Sequence, residues 1–340
     1  MPMSQPKVTL TGIKPTGIPH IGNYLGAIRP ALALARSYEA RFFIADYHAL
    51  NSIHDPQRLS GLSYEVAATW IACGLDPERM LLYRQSDIPE TFELATFLMA
   101  FTAKGHMNRA HAYKDAVAKN EAAERDGDAG INMGLYTYPV LMAADILLFD
   151  TDAVPVGRDQ KQHVEICADI AQSINHAYGA ELLVIPEPVI SEATDIVPGL
   201  DGRKMSKSYD NTIPLFAPEA QLKKLIGRVV TDSKTVDEPK DPETCNVFKL
   251  YRLFASADEQ AELAGRYRAG GMGYGQAKAA LFEAMNGQLS PLRSRYQELI
   301  SDPAALDRHL AAGAERARGI ARATMRRLRT AAGIGAPGQG

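Results

Sequence analysis

Two periodicities divide this chain. Up to about residue 185, short runs rich in β-branched and aromatic residues alternate with longer helical patterns; a proline-bearing, polar stretch follows from Pro186 to Asn211, and beyond it the pattern is mostly that of amphipathic helix to about Leu328. Successive strands separated by helices pair in parallel, and each crossover lays a helix on one face of the sheet. The pattern therefore predicts an α/β fold, a Rossmann-like doubly wound parallel sheet, with a second, all-helical domain. Strand candidates are Lys7–Ile13, Arg41–Ala45, Leu81–Tyr83, Val154–Val156 and Leu182–Ile185. Helices are expected after the turn-rich loop Lys14–Asn23, where Leu25, Ile28, Leu32 and Leu34 share a stripe that Pro30 should kink or limit, and over Thr137–Phe149 and Gln160–Tyr178, the last stopped by Gly179. The expected division is a sheet domain over 1–200, a mobile loop over 201–211, a helical domain over 212–332 and a disordered tail over 333–340.

With 340 residues, 46% of them hydrophobic, the chain can bury a full core. No stretch approaches the roughly 18 to 20 apolar residues of a membrane span. Met1–Pro6 has no hydrophobic signal core, so the cytoplasm is the expected location. Cys73, Cys167 and Cys245 lie far apart and read as reduced and structural. His106, His111, His163 and Glu165 lack ligand spacing, and no protein-bound metal is expected. A net charge of −3 argues against a uniformly basic surface. One local exception is the stretch Arg308–Arg329, where Arg316, Arg318, Arg322, Arg326 and Arg327 are opposed only by Glu315. It reads either as a solvated helix face or as a surface for a polyanion.

Open parallel sheets bind ligands beyond the carboxyl ends of their strands. Pro19-His20-Ile21-Gly22-Asn23 occupies such a place, within the glycine-bearing loop that holds Lys14, Pro15, Thr16 and Gly17. Glycines let a polyanion approach the backbone, and a helix N-terminus offers free N–H groups, so the loop can seat ATP phosphates with His20 and Asn23 as neutral donors. Alone, it is equally a tight strand-to-helix turn. Its spacing fits neither a Walker A loop nor a GxGxxG loop. The second constellation, Lys204-Met205-Ser206-Lys207-Ser208, lies on the proposed linker and can put two ammonium groups on one anion. Alone, it is a solvated basic loop.

Together, in this order and setting, the two segments resemble the paired signature motifs of class I aminoacyl-tRNA synthetases. Asn23 stands where many members carry a second His, and tryptophanyl members commonly have Asn there. Tyr138-Pro139-Val140-Leu141-Met142-Ala143-Ala144-Asp145 resembles the specificity helix of the tryptophanyl branch, and helical spacing puts Tyr138, Met142 and Asp145 on one face. The tyrosyl branch typically has Gln at the position of Met142, so the apolar side chain suits a larger ring. The resemblance further implies that His48, in Asp46-Tyr47-His48, lies near the amino-acid pocket, and that Gly157, Asp159 and Gln160 approach the ribose and the aminoacyl group.

It also implies ATP and L-tryptophan as substrates, magnesium arriving with ATP, tRNA(Trp) as partner through a basic surface containing Arg316, Arg322 and Arg326, and a homodimer. Two features depart from familiar members. Lys14 replaces a usual Gln, adding a positive charge near the α-phosphate or substrate carboxylate, and the segment 120–132 looks longer, as a lid or a surface insertion.

Overall fold

The computed structural model describes residues 6–17, 19–190 and 197–335. Five parallel strands form one sheet in the order β3-β2-β1-β4-β5: β1 Val8–Ile13, β2 Glu39–Ile44, β3 Leu81–Arg84, β4 Ala153–Val156 and β5 Glu187–Ile190. The first four match the expected strands to within two residues at either end. The fifth does not. Leu182–Ile185 was the expected strand, but Asn175, near the end of the preceding helix, accepts the N–H groups of Leu182 and Leu183 at 2.9 Å and donates to the Leu183 carbonyl at 2.8 Å. With those backbone groups already paired, the chain joins β4 only from Glu187, as an edge strand that tolerates Pro188.

The strand order reverses between β1 and β4, which meet through the single register pair Thr9↔Ala153 and are otherwise free to diverge. The first helical run does pass through Pro30, by way of a π turn at Tyr24–Ile28 in which Arg29 N–H reaches back to the Tyr24 carbonyl. The segment that resembles a specificity helix is the helix Met133–Leu147, capped by Asn132, whose side chain accepts Leu135 N–H at 2.8 Å. Gly179 ends the helix Lys161–Tyr178 in the left-handed conformation, at φ 62°.

Each face of the sheet carries a core. Ile21, Phe42 and Trp70 pack on one side with Phe248, Leu281 and Leu310, so the sheet and the helices after residue 212 share one apolar interior. On the other side Leu10, Phe43 and Val140 pack with Ala317 and Leu328 of the last helix, Pro303–Ala332. That helix lies against β3, and Gly313 marks the closest approach: a Cβ there would fall 1.8 Å from the Leu82 carbonyl oxygen. The segment 120–132 is a fastened turn. Asn120, buried, donates to the carbonyls of Gly127 and Ala129, and Tyr113 donates to Asp128 at 2.7 Å. Within the tail expected over 333–340, residues 336–340 lie outside the described residues.

Candidate active site

Where β1 and β4 part, a cavity of about 580 Å³ opens. Gly12 makes room for its wall, since a Cβ there would meet the Phe43 ring at 2.4 Å. Seven of the residues picked out in the sequence line this cavity: Lys14 from the end of β1, His48 after β2, Tyr138, Met142 and Asp145 from one helix face, and Gly157 and Gln160 after β4. Asp145 is 2% exposed, with Oδ2 3.0 Å from His48 Nε2. Gln85 Nε2 donates to both of its oxygens, at 2.9 and 3.0 Å. Burial pushes the Asp145 carboxyl upward, while the bonds from His48 and Gln85 pull it back. Each carboxylate oxygen offers about two lone pairs. Oδ1, holding one of these bonds, keeps capacity for a further donor from the cavity.

Gln85 was missed in the sequence, although it directly follows β3, where the carboxyl-end rule points. It is fully buried, and its Oε1 accepts Tyr47 N–H at 3.2 Å. Asp46 has an internal role, accepting Ser86 N–H at 3.0 Å and the Ser86 hydroxyl, which ties the end of β2 to the end of β3. His163 was considered only as a metal ligand. It bonds the Tyr138 hydroxyl through Nε2 and lies 3.0 Å from Gln160 Oε1 through Nδ1.

The two signature segments form a second group beside the cavity. Ile21 N–H donates to the Ile213 carbonyl and Leu215 N–H to the Pro19 carbonyl, each at 3.0 Å, which brings the late segment alongside the early one. Asn23 Oδ1 accepts His20 N–H at 3.0 Å, closing the first turn. His20 is 8% exposed and its Nδ1 is buried with no hydrogen-bond partner among the described residues. Burial, with the Lys207 ammonium adding to it, brings the imidazole from its usual 6.5 down to about 4, so the ring is neutral at physiological pH. Lys207 Nζ hangs over Gly17, 2.8 Å from where a Cβ would be, at a φ of +144° that itself favours glycine.

The late segment is the far arm of a tight hairpin in which Met205 N–H donates to the Val197 carbonyl at 2.9 Å. Asn211, buried and not singled out in the sequence, braces it: Oδ1 accepts Ser206 N–H at 2.8 Å, and Nδ2 donates to Asp201 at 2.7 Å and to the Lys204 carbonyl at 3.1 Å. Met205 is 4% exposed and packs in the core, so its side chain anchors the loop and leaves Lys204 and Lys207 outside. Ser206 and Ser208 hydroxyls bond each other at 2.8 Å. Pro15 is buried and Thr16 exposed; the side chain of Asp159 lies outside the described residues.

The basic stretch lies on the last helix, and most of its charge is paired within the chain. Arg316 donates to the carbonyls of Pro77, Glu78 and Met80, Arg318 and Arg322 reach Glu90, and Arg327 reaches Asp150. Arg326 is exposed.

A doubly wound sheet with a cavity at its switch point, and a cluster of glycine, neutral histidine and lysine beside it, is the arrangement in which open α/β sheets receive small ligands. Comparison with known proteins makes the class specific: the family model described as tRNA synthetases class I (W and Y) matches residues 3–290, and the chain belongs to this family. A tryptophan–tRNA ligase of Bordetella parapertussis is 54% identical over 330 residues, which are 96% of this chain and 73% of that protein. One of Pseudomonas aeruginosa is 53% identical over 329 residues, with the same shares. Among solved structures, tryptophanyl-tRNA synthetase of Campylobacter jejuni complexed with ADP and tryptophan superposes with a TM-score of 0.88 at 44% identity, covering 96% of this chain and all of that one.

Proposed function

We propose that this chain activates L-tryptophan with ATP and transfers the tryptophanyl group to the 3′-terminal adenosine of tRNA(Trp), releasing pyrophosphate and AMP. The observation that carries the choice of amino acid is Asp145, a buried carboxylate with acceptor capacity at the wall of the cavity, beside the apolar Met142. An indole offers one N–H donor on an otherwise apolar ring, and this wall complements it. A phenol, which both donates and accepts, is served less well by Met142.

In the first step the tryptophan carboxylate attacks the α-phosphorus of ATP, a new P–O bond forms, and the bond to pyrophosphate breaks. Positioning and charge stabilisation supply most of the rate. Tyr138, His48 and Gln160 hold the amino acid with Asp145 and Met142. Lys14 lies where β1 ends and faces the α-phosphate. His20 and Asn23 receive the phosphates near Gly22, with the His20 ring donating as a neutral group. Lys204 and Lys207 take up the negative charge that builds on departing pyrophosphate. Gly157, Asp159 and Gln160 approach the ribose, while Pro15, Thr16, Met205, Ser206 and Ser208 shape the cradle. Magnesium enters bound to the nucleotide and shares the phosphate charge.

In the second step the 2′-hydroxyl of the terminal adenosine attacks the adenylate carbonyl and AMP leaves. Arg316, Arg322 and Arg326 belong to the proposed tRNA surface, with exposed Arg326 best placed for direct phosphate contact. The homodimer, with tRNA spanning both subunits, and a cytoplasmic location are part of the same proposal. No helix among the described residues is long and apolar enough to cross a membrane. Incubation with ATP, labelled tryptophan and a tRNA(Trp) transcript tests the reading. An ester-linked, base-labile product on that transcript supports it, and no product with active tRNA contradicts it.

A further inference from the structure

Tyr209 takes no part in these steps, yet it is an aromatic ring left 51% exposed in the short turn Lys207–Tyr209, directly after the late signature segment. Arg203, which precedes that segment, lays its guanidinium over the ring, with Cζ 4.4 Å from the centroid. The guanidinium is itself fixed. Its Nε donates to Asp201 Oδ2 at 2.6 Å, and Asp201 Oδ1 accepts Arg203 N–H at 3.0 Å and Asn211 Nδ2 at 2.7 Å. Asp210 then turns the chain through the left-handed region, at φ 49°, and Ile213 is fully buried again. The backbone on both sides of Tyr209 is thus held in place while its ring stays in solvent.

Two capacities remain in this pair. The guanidinium covers one face of the ring, which leaves the other face for a flat partner. The Nη groups of Arg203 have no hydrogen bond to the described residues, and they point a fixed positive charge at whatever settles beside the ring. A flat π face with an anion beside it is the chemistry of a nucleotide. Within a duplex the base faces are already stacked on each other, so an unpaired nucleotide is the one that can offer its face to an aromatic side chain. The place agrees with this. Lys207, two residues before Tyr209, hangs over Gly17 in the phosphate cradle, so the ring stands at the rim of that cradle.

We propose that Arg203 and Tyr209 form a stacking platform for an unpaired nucleotide of the tRNA acceptor end, with the base on the open face of Tyr209 and its phosphate on the Arg203 Nη groups. The terminal adenosine has to reach the adenylate carbonyl beside the cradle, and the unpaired nucleotides before it then cross this rim. The platform holds them in a course that delivers the 2′-hydroxyl. This rests on the reading that the chain charges tRNA. A tyrosine that only covered the arginine or steadied the signature segment would matter to both steps of the reaction, whereas a platform of this kind matters to the second alone.

The test compares the two steps in the full chain. Tyr209→Ala should raise the KM for a tRNA(Trp) transcript by about 10- to 100-fold, the loss expected for one stacked base, and leave ATP–pyrophosphate exchange, which uses no tRNA, at its wild-type kcat and KM values. Tyr209→Phe keeps the ring face and should charge as the wild type does. In equilibrium binding, Tyr209→Ala should weaken the whole transcript but not one trimmed of its unpaired 3′ nucleotides. Arg203→Gln should lower the slope of log affinity against log salt by about 0.7, the value for one phosphate of a single strand. Tyr209→Trp supplies a reading that does not depend on the alanine variant folding: Trp70, the chain's one tryptophan, is fully buried, so the new indole is the exposed one, and the whole transcript but not the trimmed one should quench it. Wild-type charging by Tyr209→Ala, an equal loss on the trimmed transcript, no difference in quenching between the two transcripts, or a raised KM for ATP in exchange would overturn the platform and leave the charging reading standing. A wild-type chain that fails to charge tRNA(Trp) would remove the reading beneath it.

Discussion

Asp145 Oδ2 lies 3.0 Å from His48 Nε2, and Gln85 Nε2 reaches both carboxylate oxygens from the other side. The carboxylate is therefore oriented by two partners drawn from the ends of β2 and β3, before any ligand contributes. A site built around a buried polar contact rejects ligands that cannot complete it by about 10⁴ or more. Asp145→Ala should lower the ratio of kcat/KM for tryptophan over phenylalanine by at least about 100-fold. Full selectivity in that variant would take Asp145 out of indole recognition.

Lys204 and Lys207 are held outside the core by the packing of Met205 between them. Each acts on charge that grows as pyrophosphate departs. Lys204→Ala or Lys207→Ala should slow adenylate formation by about 10² to 10³, with modest change in tryptophan affinity. Stopped-flow measurement of pyrophosphate release reads this directly. An unchanged rate would remove the lysines from the first step.

The pH behaviour of His20 follows from its burial. Its pKa falls from the usual 6.5 to about 4 in the folded chain, so the unfolded chain binds more protons between those values. The stability attached to the neutral ring is complete above 6.5 and is lost as pH falls toward 4. Melting temperature should thus decline less steeply in His20→Gln than in the wild type over that interval. Parallel declines would contradict the buried neutral state.

Gly313 offers a test of packing that bears on the site. Alanine ordinarily favours a helix over glycine by about 1 kcal/mol. Here the new Cβ would fall 1.8 Å from the Leu82 carbonyl oxygen, so the last helix must move away from β3. Gly313→Ala should destabilise by about 1 to 3 kcal/mol and lower kcat, because Gln85 follows that strand. Gly319, on the same helix, has nothing within 4 Å of its added Cβ, and Gly319→Ala should be neutral or stabilising. Denaturant melts of the pair decide it.

Much of this was legible in the chain because it was local. Strand alternation, Gly179 as a stop, and Tyr138, Met142 and Asp145 at helical spacing all follow from backbone periodicity. Gln85 and Asn211 were overlooked, and His163 was weighed only as a metal ligand, because their meaning is a contact across 60, 5 to 10, and 25 residues respectively, which a lone polar residue does not advertise. The misplaced fifth strand has the same origin, since the Asn175 side chain competes with the sheet for Leu182 and Leu183. The arginine cluster shows the opposite error of scale: a run that reads as one basic face is, in the fold, divided among Glu90, Asp150 and backbone carbonyls.

The most direct test of the central claim is ATP–pyrophosphate exchange with the purified chain and magnesium, offering tryptophan, tyrosine or no amino acid. Exchange with tryptophan alone is the predicted result, since it requires the phosphate cradle and the Asp145 wall to act together. Exchange with tyrosine, or none with either, would contradict it.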